Sequence, residues 1–184
     1  MSVPGAFRSG ASFVNIAYVT LSGRGLIDDC LAEAVADLEA RGFRLAGTVR
    51  VLPADPHSHA CDMDVRVLPD GPSRRISQPL GALSKGCRLD TDAIEILSVA
   101  VESRVEGADL LIVNKFGKQE AAGRGLCQAI VMAIEADIPV LIGVNGLNLP
   151  ELLAFAGDQA ERIEGKPEDI VSWACAKRFA AAEA

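Results

Sequence analysis

The residues best equipped for chemistry stand together in Asn114-Lys115-Phe116-Gly117-Lys118-Gln119-Glu120, with Gly123-Arg124-Gly125 just beyond. Lys115, Lys118 and Arg124 bring positive charge to glycine-containing backbone that opens a helix, and free N–H groups beside cations suit an anion. A solvated basic turn balancing an acidic protein is the competing reading of the same residues. Glu120 is available to pair with Lys115 or Lys118, or to act as an acid, base or metal contact if the chain is an enzyme. With no acid at the end of the preceding strand, the pairing is the preferred reading.

A second cluster, Ser22-Gly23-Arg24-Gly25, lies between an apolar run and a helical pattern. That is where a phosphate-binding loop would lie. Such a loop needs glycines to wrap phosphates, a Lys for their charge and a Ser or Thr hydroxyl for Mg²⁺. Leu26-Ile27-Asp28-Asp29 follows instead, and its two carboxylates repel a triphosphate. Arg24 and the helix N-terminus can still hold a small oxyanion; equally, the glycines serve an ordinary tight turn. Asn145-Gly146-Leu147-Asn148 forms a third polar loop, in which Asn145 is the candidate contact. Asn114-Lys115 also begins like the guanine-reading Asn-Lys-x-Asp motif, but Gly117 stands in the Asp position and excludes it.

His57, His59, Cys61, Asp62 and Asp64 supply imidazole, thiolate and carboxylate groups within eight positions, a donor set a transition metal accepts. Their spacing matches no zinc finger or ribbon. Cys61 and Cys87 bracket this region, and Asp90 before Thr91 reads as a helix N-cap. No G-x-S-x-G elbow, H-E-x-x-H pair or dinucleotide glycine fingerprint occurs, so hydrolase and dehydrogenase readings lack support.

The elements that must hold these loops follow from hydrophobic periodicity. Phe13–Val19 reads as a strand; Leu26, Ile27, Cys30, Leu31, Ala34, Val35 and Leu38 recur at helical spacing; Gly42 ends that helix; Arg44–Leu52 is a second strand. Pro53–Arg88, dense in Pro and Gly, reads as an excursion from the main sheet, with a hairpin of Asp62–Leu68 and Ser73–Gln78 around Pro69-Asp70-Gly71-Pro72. Ile94, Leu97, Val101 and Val105 mark a helix, 110–113 a buried strand, Leu126, Ile130 and Ile134 another helix, and 139–144 another strand. Helices over 149–155 and 167–179 complete the chain. Continuous apolar strands separated by helices require a three-layer α/β fold with a mostly parallel sheet. All three polar loops then fall at the carboxyl ends of strands, where ligands bind. A flexible N-terminus (1–12) precedes a single domain (13–181).

The chain is 49% hydrophobic and 23% charged, with a net charge of −7, a balance that excludes disorder and disfavours nucleic acid as a partner. No apolar run approaches the roughly 20 residues needed to cross a bilayer, so no membrane partner is expected. Five widely spaced cysteines, an odd number, do not form a secreted disulfide framework and place the chain in the reducing cytoplasm. Chains of this size and class commonly form homo-oligomers.

Several blocks together carry a resemblance: Cys61-Asp62-Met63-Asp64, Arg75-Ile76-Ser77-Gln78 with Leu80-Gly81, Lys85-Gly86-Cys87-Arg88-Leu89-Asp90, and above all Ala108 through Glu120 with Gly123-Arg124-Gly125. From about Phe13 to Trp173 the chain resembles a bacterial family of unassigned function, related to small P-loop nucleoside triphosphatases and often encoded near molybdate-transport or molybdenum-enzyme genes. The resemblance implies a P-loop-like fold with a degenerate phosphate loop. Related triphosphatases carry an acid pair at the strand end, then Gly and Glu; here Asn114 and Lys115 replace the acids while Gly117 and Glu120 match. Without those acids the hold on Mg²⁺ and the activation of water are lost. The expectation is a non-hydrolysing protein that binds molybdate, tungstate or a nucleotide in molybdenum homeostasis, with Mg²⁺ only beside a nucleotide. Its binding residues would be Ser22, Gly23, Arg24, Gly25, Asn114, Lys115, Gly117, Lys118, Gly123, Arg124 and Asn145. The alternatives are an NTPase or phosphotransferase using Glu120, Asp62 and Asp64, and a ligand-free protein-interaction module.

Overall fold

The computed structural model describes residues 15–51, 63–78, 88–157 and 159–182. In chain order the elements are β1 (Ile16–Val19), α1 (Leu26–Ala40), β2 (Leu45–Val51), β3 (Asp64–Leu68), β4 (Ser73–Arg75), β5 (Ser77–Gln78), β6 (Arg88–Leu89), α2 (Thr91–Val105), β7 (Leu110–Phe116), α3 (Lys118–Ala121), α4 (Cys127–Glu135), β8 (Val140–Val144), α5 (Leu149–Ala156), β9 (Glu161–Arg162) and α6 (Pro167–Ala182). The main sheet has the order β4-β3-β2-β7-β8-β1-β9. Its five strands from β2 to β9 run parallel, with Ile16 opposite Val140, Leu111 opposite Val140 and Leu45 opposite Leu110.

Alternate residues of these strands feed two cores. Ile16, Leu111, Val113, Val140 and Ile142 pack on one face with Leu97 and Val101 of α2, Ile130 of α4 and Leu152 of α5. Ala17, Val19, Leu110, Ile112 and Leu141 pack on the other with Leu31, Val35 and Leu38 of α1 and Ile170 and Val171 of α6. The runs Ile16–Val19, 110–113 and Val140–Val144 carry no charged residue on either face because both faces are covered. Each fully buried Leu or Ile removes enough apolar surface from water to contribute roughly 1.5–3 kcal/mol. α1 ends where expected, with Phe43 N–H donating to the Leu38 carbonyl at 3.0 Å across Gly42. Asp90 caps α2, accepting from Ala93 N–H at 3.0 Å.

The expected hairpin forms, with Asp64 opposite Arg75, but it does not leave the main sheet. β3 pairs antiparallel with β2, placing Val49 opposite Arg66, and extends the sheet by two strands. The reason lies in its side chains. Val65 and Val67 alternate inward and join the core beneath α2, whereas Arg66 points to the opposite face and meets Glu39 of α1 at 3.2 Å. Among the described residues of this segment, Pro and Gly fall at the hairpin tip, where Gly71 N–H donates to the Val67 carbonyl at 3.0 Å. The run 73–78, expected as one strand, breaks at Ile76; Ser77–Gln78 turns away to pair with Arg88–Leu89. The N-terminal segment 1–12 lies outside the described residues. Among those described, no helix is long and apolar enough to cross a membrane.

β1 connects through α1 toward one edge of the sheet, while its neighbour β8 connects through α5 to β9 at the other. Opposite departures of adjacent strands open a crevice above their carboxyl ends. One glycine inside the sheet is obligatory for the packing below that crevice. Gly47 of β2 has φ +113°, and a Cβ there would collide with the Ile112 carbonyl of β7. Gly47→Ala should therefore destabilise the protein by about 3 kcal/mol or more, measured as a lowered urea midpoint with far-UV circular dichroism as the probe.

Candidate functional site

The β1–α1 loop turns through Gly23 (φ +137°) and Gly25 (φ +81°), a backbone path that side chains rarely adopt. Gly25 offers its carbonyl to Asp29 N–H at 2.9 Å and starts α1. Leu26, at the first helical position, is about half exposed, so the place where a phosphate loop would present its Lys holds an apolar side chain facing water.

Asp28, one helical position further on than expected for a phosphate contact, turns inward. Its Oδ1 accepts from Asn114 Nδ2 at 2.8 Å, and its Oδ2 from Arg50 Nη1 at 3.0 Å. Asn114, buried near the end of β7, closes the ring by accepting the Arg50 backbone N–H at 3.2 Å. Three elements, α1, β2 and β7, are thus tied through one carboxylate. The ion pair is mostly enclosed, with side-chain exposures of 20% for Arg50 and 22% for Asp28, so its attraction is less screened than a surface pair's. Arg50 Nε is buried without a hydrogen-bond partner among the described residues, so the guanidinium's donors are only partly used.

Glu120 corrects the preferred sequence reading. It is buried and pairs with neither Lys115 nor Lys118; its Oε2 accepts Gly117 N–H at 3.0 Å and its Oε1 accepts Leu126 N–H at 3.2 Å. Backbone donors at the start of α3 and α4 hold the carboxylate rigidly, where a flexible lysine would have to surrender hydration and side-chain freedom. Beside it, burial and then the Glu120 charge push the Cys127 thiol above its ordinary range. Burial, followed by Glu33 and Glu168, does the same to Cys30. Neither thiol has the depressed pKa of a nucleophile.

A cavity of about 600 Å³ opens above the carboxyl edge. Among the sequence candidates it brings together Gly23, Arg24, Gly25, Asn114, Lys115, Gly117, Lys118 and Asn145, with Glu120 also on its wall. Ser22, Gly123 and Arg124 are not among the residues lining it; Arg124 Nε instead donates to Gln119 Oε1 at 3.0 Å on the surface. The four cations Arg24, Arg50, Lys115 and Lys118 outnumber the two carboxylates Asp28 and Glu120 among its described walls, a local reversal of the chain's acidity. Lys115 and Lys118 are exposed at the mouth. Asn145 accepts from Asn148 N–H at 3.0 Å, which sets the loop after β8 against the same opening.

Of the proposed metal donors, His57, His59, Cys61 and Asp62 lie outside the described residues. Asp64 is on β3 and is engaged by Arg75 at 3.0 Å. No cluster of metal-binding side chains occurs among the described residues. Sequence reasoning missed Arg50 and the inward role of Asp28. The available signal was Arg50 itself, a lone charge inside the apolar run Thr48-Val49-Arg50-Val51.

Residues 16–173, from β1 into α6, match the model of a family described as "Protein of unknown function (DUF2478)". The chain belongs to that family. This DUF2478 protein is 35% identical over 148 residues to the "Molybdenum import ATP-binding protein ModC 2" of Bradyrhizobium diazoefficiens. The match takes in 80% of this chain but spans only 16% of the length of that relative. Among solved structures, THEP1 from the hyperthermophile Aquifex aeolicus aligns with TM-score 0.56 at 16% identity, covering 83% of this chain and 90% of that one. A human cancer-related nucleoside triphosphatase aligns with TM-score 0.55 at 14% identity, covering 92% and 98%. The DUF2478 chain therefore has the P-loop NTPase-like α/β fold, as the sequence resemblance implied.

The Asp28–Asn114 bond makes a sharp prediction. Asn114→Asp would set two carboxylates within hydrogen-bond distance, and like charge raises the pKa of one of them in the folded state. The penalty is present above that raised pKa and disappears below the unfolded carboxylate range. Urea denaturation should show Asn114→Asp less stable than the parent by about 2 kcal/mol at pH 8, with the gap closing toward pH 4.

Proposed function

We propose that this DUF2478 chain is a cytoplasmic protein that binds a small oxyanion, molybdate or tungstate, at the carboxyl edge of its sheet and does not hydrolyse nucleotides. One observation carries the reading: the Asp28 carboxylate is consumed by Asn114 and Arg50 at a helix start that presents Leu26, while Arg24, Lys115 and Lys118 border the cavity above. Nucleotide hydrolysis needs a carboxylate or hydroxyl to carry Mg²⁺ and a base to activate water. Asp28 and Glu120, the described carboxylates of the cavity, have both oxygens engaged by donors. Cations around an open cavity are what an oxyanion requires. The ModC 2 relative, named for molybdenum import, supports the choice of molybdate and tungstate and a role in molybdenum homeostasis.

A bound nucleotide, with Mg²⁺ accompanying it, is the second reading, supported by the fold shared with the nucleoside triphosphatase. Isothermal titration with molybdate, tungstate, sulfate, phosphate and ATP separates the two. The expected result is one-site binding of molybdate or tungstate, weakened about 10- to 100-fold in Lys115→Ala, the loss of one charge-assisted contact. Because Lys115 and Lys118 are exposed, affinity should also fall as salt rises from 50 to about 500 mM. No heat with any anion from folded protein, or phosphate release from ATP that disappears in Glu120→Gln, would reject the proposal.

A further inference from the structure

The cavity is larger and more apolar than a bare oxyanion needs. A tetrahedral oxyanion displaces roughly two or three waters at about 30 Å³ each, whereas the cavity holds about 600 Å³. That volume lies in the range of sites for organic molecules, roughly 300–1,000 Å³. Its walls divide by chemistry. Arg24, Lys115 and Lys118 line it from the loop after β1, the end of β7 and the start of α3; Met63, Val65, Ile76, Ile94 and Leu97 line it from around β3 and α2. Val65 and Leu97 are almost wholly enclosed and form the floor, while Met63, Ile76 and Ile94 remain partly open.

Alternation along β2 and β3 joins the two sets. Thr48 lies opposite Val67 and Arg50 opposite Val65, so both polar residues share the sheet face that carries the apolar hollow. Arg50 then reaches Asp28 of α1. A ligand confined to the rim would leave these described apolar side chains without a partner in the ligand, contact that the hydrophobic effect favours.

We infer that the same site, besides a bare oxyanion, takes an organic one: a phosphate or similar ester whose largely apolar body lies in the hollow over β3 and α2 while its charged group meets Lys115 and Arg24. This deepens, and rests on, the reading of the rim as an anion site. A nucleobase suits the hollow less well than an apolar group, because most of its donors and acceptors would face Met63, Val65, Ile76, Ile94 and Leu97, with Thr48 and Arg50 as the polar residues of that sheet face among those described. Unpaired polar edges in an apolar pocket lose affinity.

Three probes sharing one charged group test this: inorganic phosphate, AMP and 1-naphthyl phosphate, titrated by calorimetry and by methyl NMR of Met63, Ile76 and Ile94. The expected result is that 1-naphthyl phosphate binds about 30-fold or more tightly than inorganic phosphate, exceeds AMP, and shifts those methyl resonances. Ile94→Asn and Met63→Gln, both at partly open positions, should remove most of that gain while leaving binding of inorganic phosphate unchanged. Equal affinities for the three probes, or a gain with the methyl resonances unmoved, would overturn the inference and leave the molybdate titration above unaffected. If neither molybdate nor any phosphate binds, the anion-site reading falls, and this inference with it.

Discussion

One carboxylate holds the functional edge of this protein together. Asp28 receives hydrogen bonds from Asn114 and Arg50, and so joins the start of α1, the end of β7 and the outer part of β2. A charge in that position is tolerable only because both of its oxygens are satisfied and a guanidinium neutralises it. The arrangement also sets the electrostatics of the opening. Arg50 offsets the Asp28 charge and backbone donors hold Glu120 in place, while Lys115 and Lys118 stand exposed at the mouth.

The same bonds occupy the positions at which P-loop enzymes that hydrolyse nucleotides carry a different set of residues on the same fold. In such enzymes the helix start offers a lysine and a hydroxyl, and the neighbouring strand end offers acids, so that metal and phosphate complete the structure. Here Leu26 and Ile27 replace the first pair and Asn114 and Lys115 the second. The amide of Asn114 donates where an acid would accept. The loop and strand end are therefore bonded to each other, which makes the edge self-sufficient and leaves the cavity above it open.

Much of this was legible in the residues. The parallel sheet followed from apolar runs such as Leu110–Val113 and 139–144, whose lack of alternation has no other stable solution in a covered sheet. The loop bearing Asn114, Lys115, Gly117 and Lys118 was placed at the correct edge by the same logic. Local reasoning failed where distant residues decide the outcome. Asp28 read as a charge that repels phosphates because its partners, Arg50 and Asn114, are brought near only by the crossover from β1 to β2 and the pairing of β2 with β7. Glu120 was assigned to a lysine because charge is visible in a sequence and unsatisfied N–H groups are not. The hairpin read as a departure because Pro69, Gly71 and Pro72 are conspicuous, while the inward alternation of Val65 and Val67 is brief.

The strand order also has a consequence for how the chain comes to be folded. β1 is made first, yet its partners, β8 and β9, lie at the far end of the sequence, with Ile16 waiting for Val140 and Ala17 for Glu161. Contacts so remote in sequence form slowly, since loop closure must be completed before they give any return. During synthesis α1 follows at once to cover Ala17 and Val19, whereas the hydrogen-bonding edges of Ile16–Val19 stay open until β8 and β9 have been made. Over that interval the strand must be kept from pairing with itself or with its neighbours.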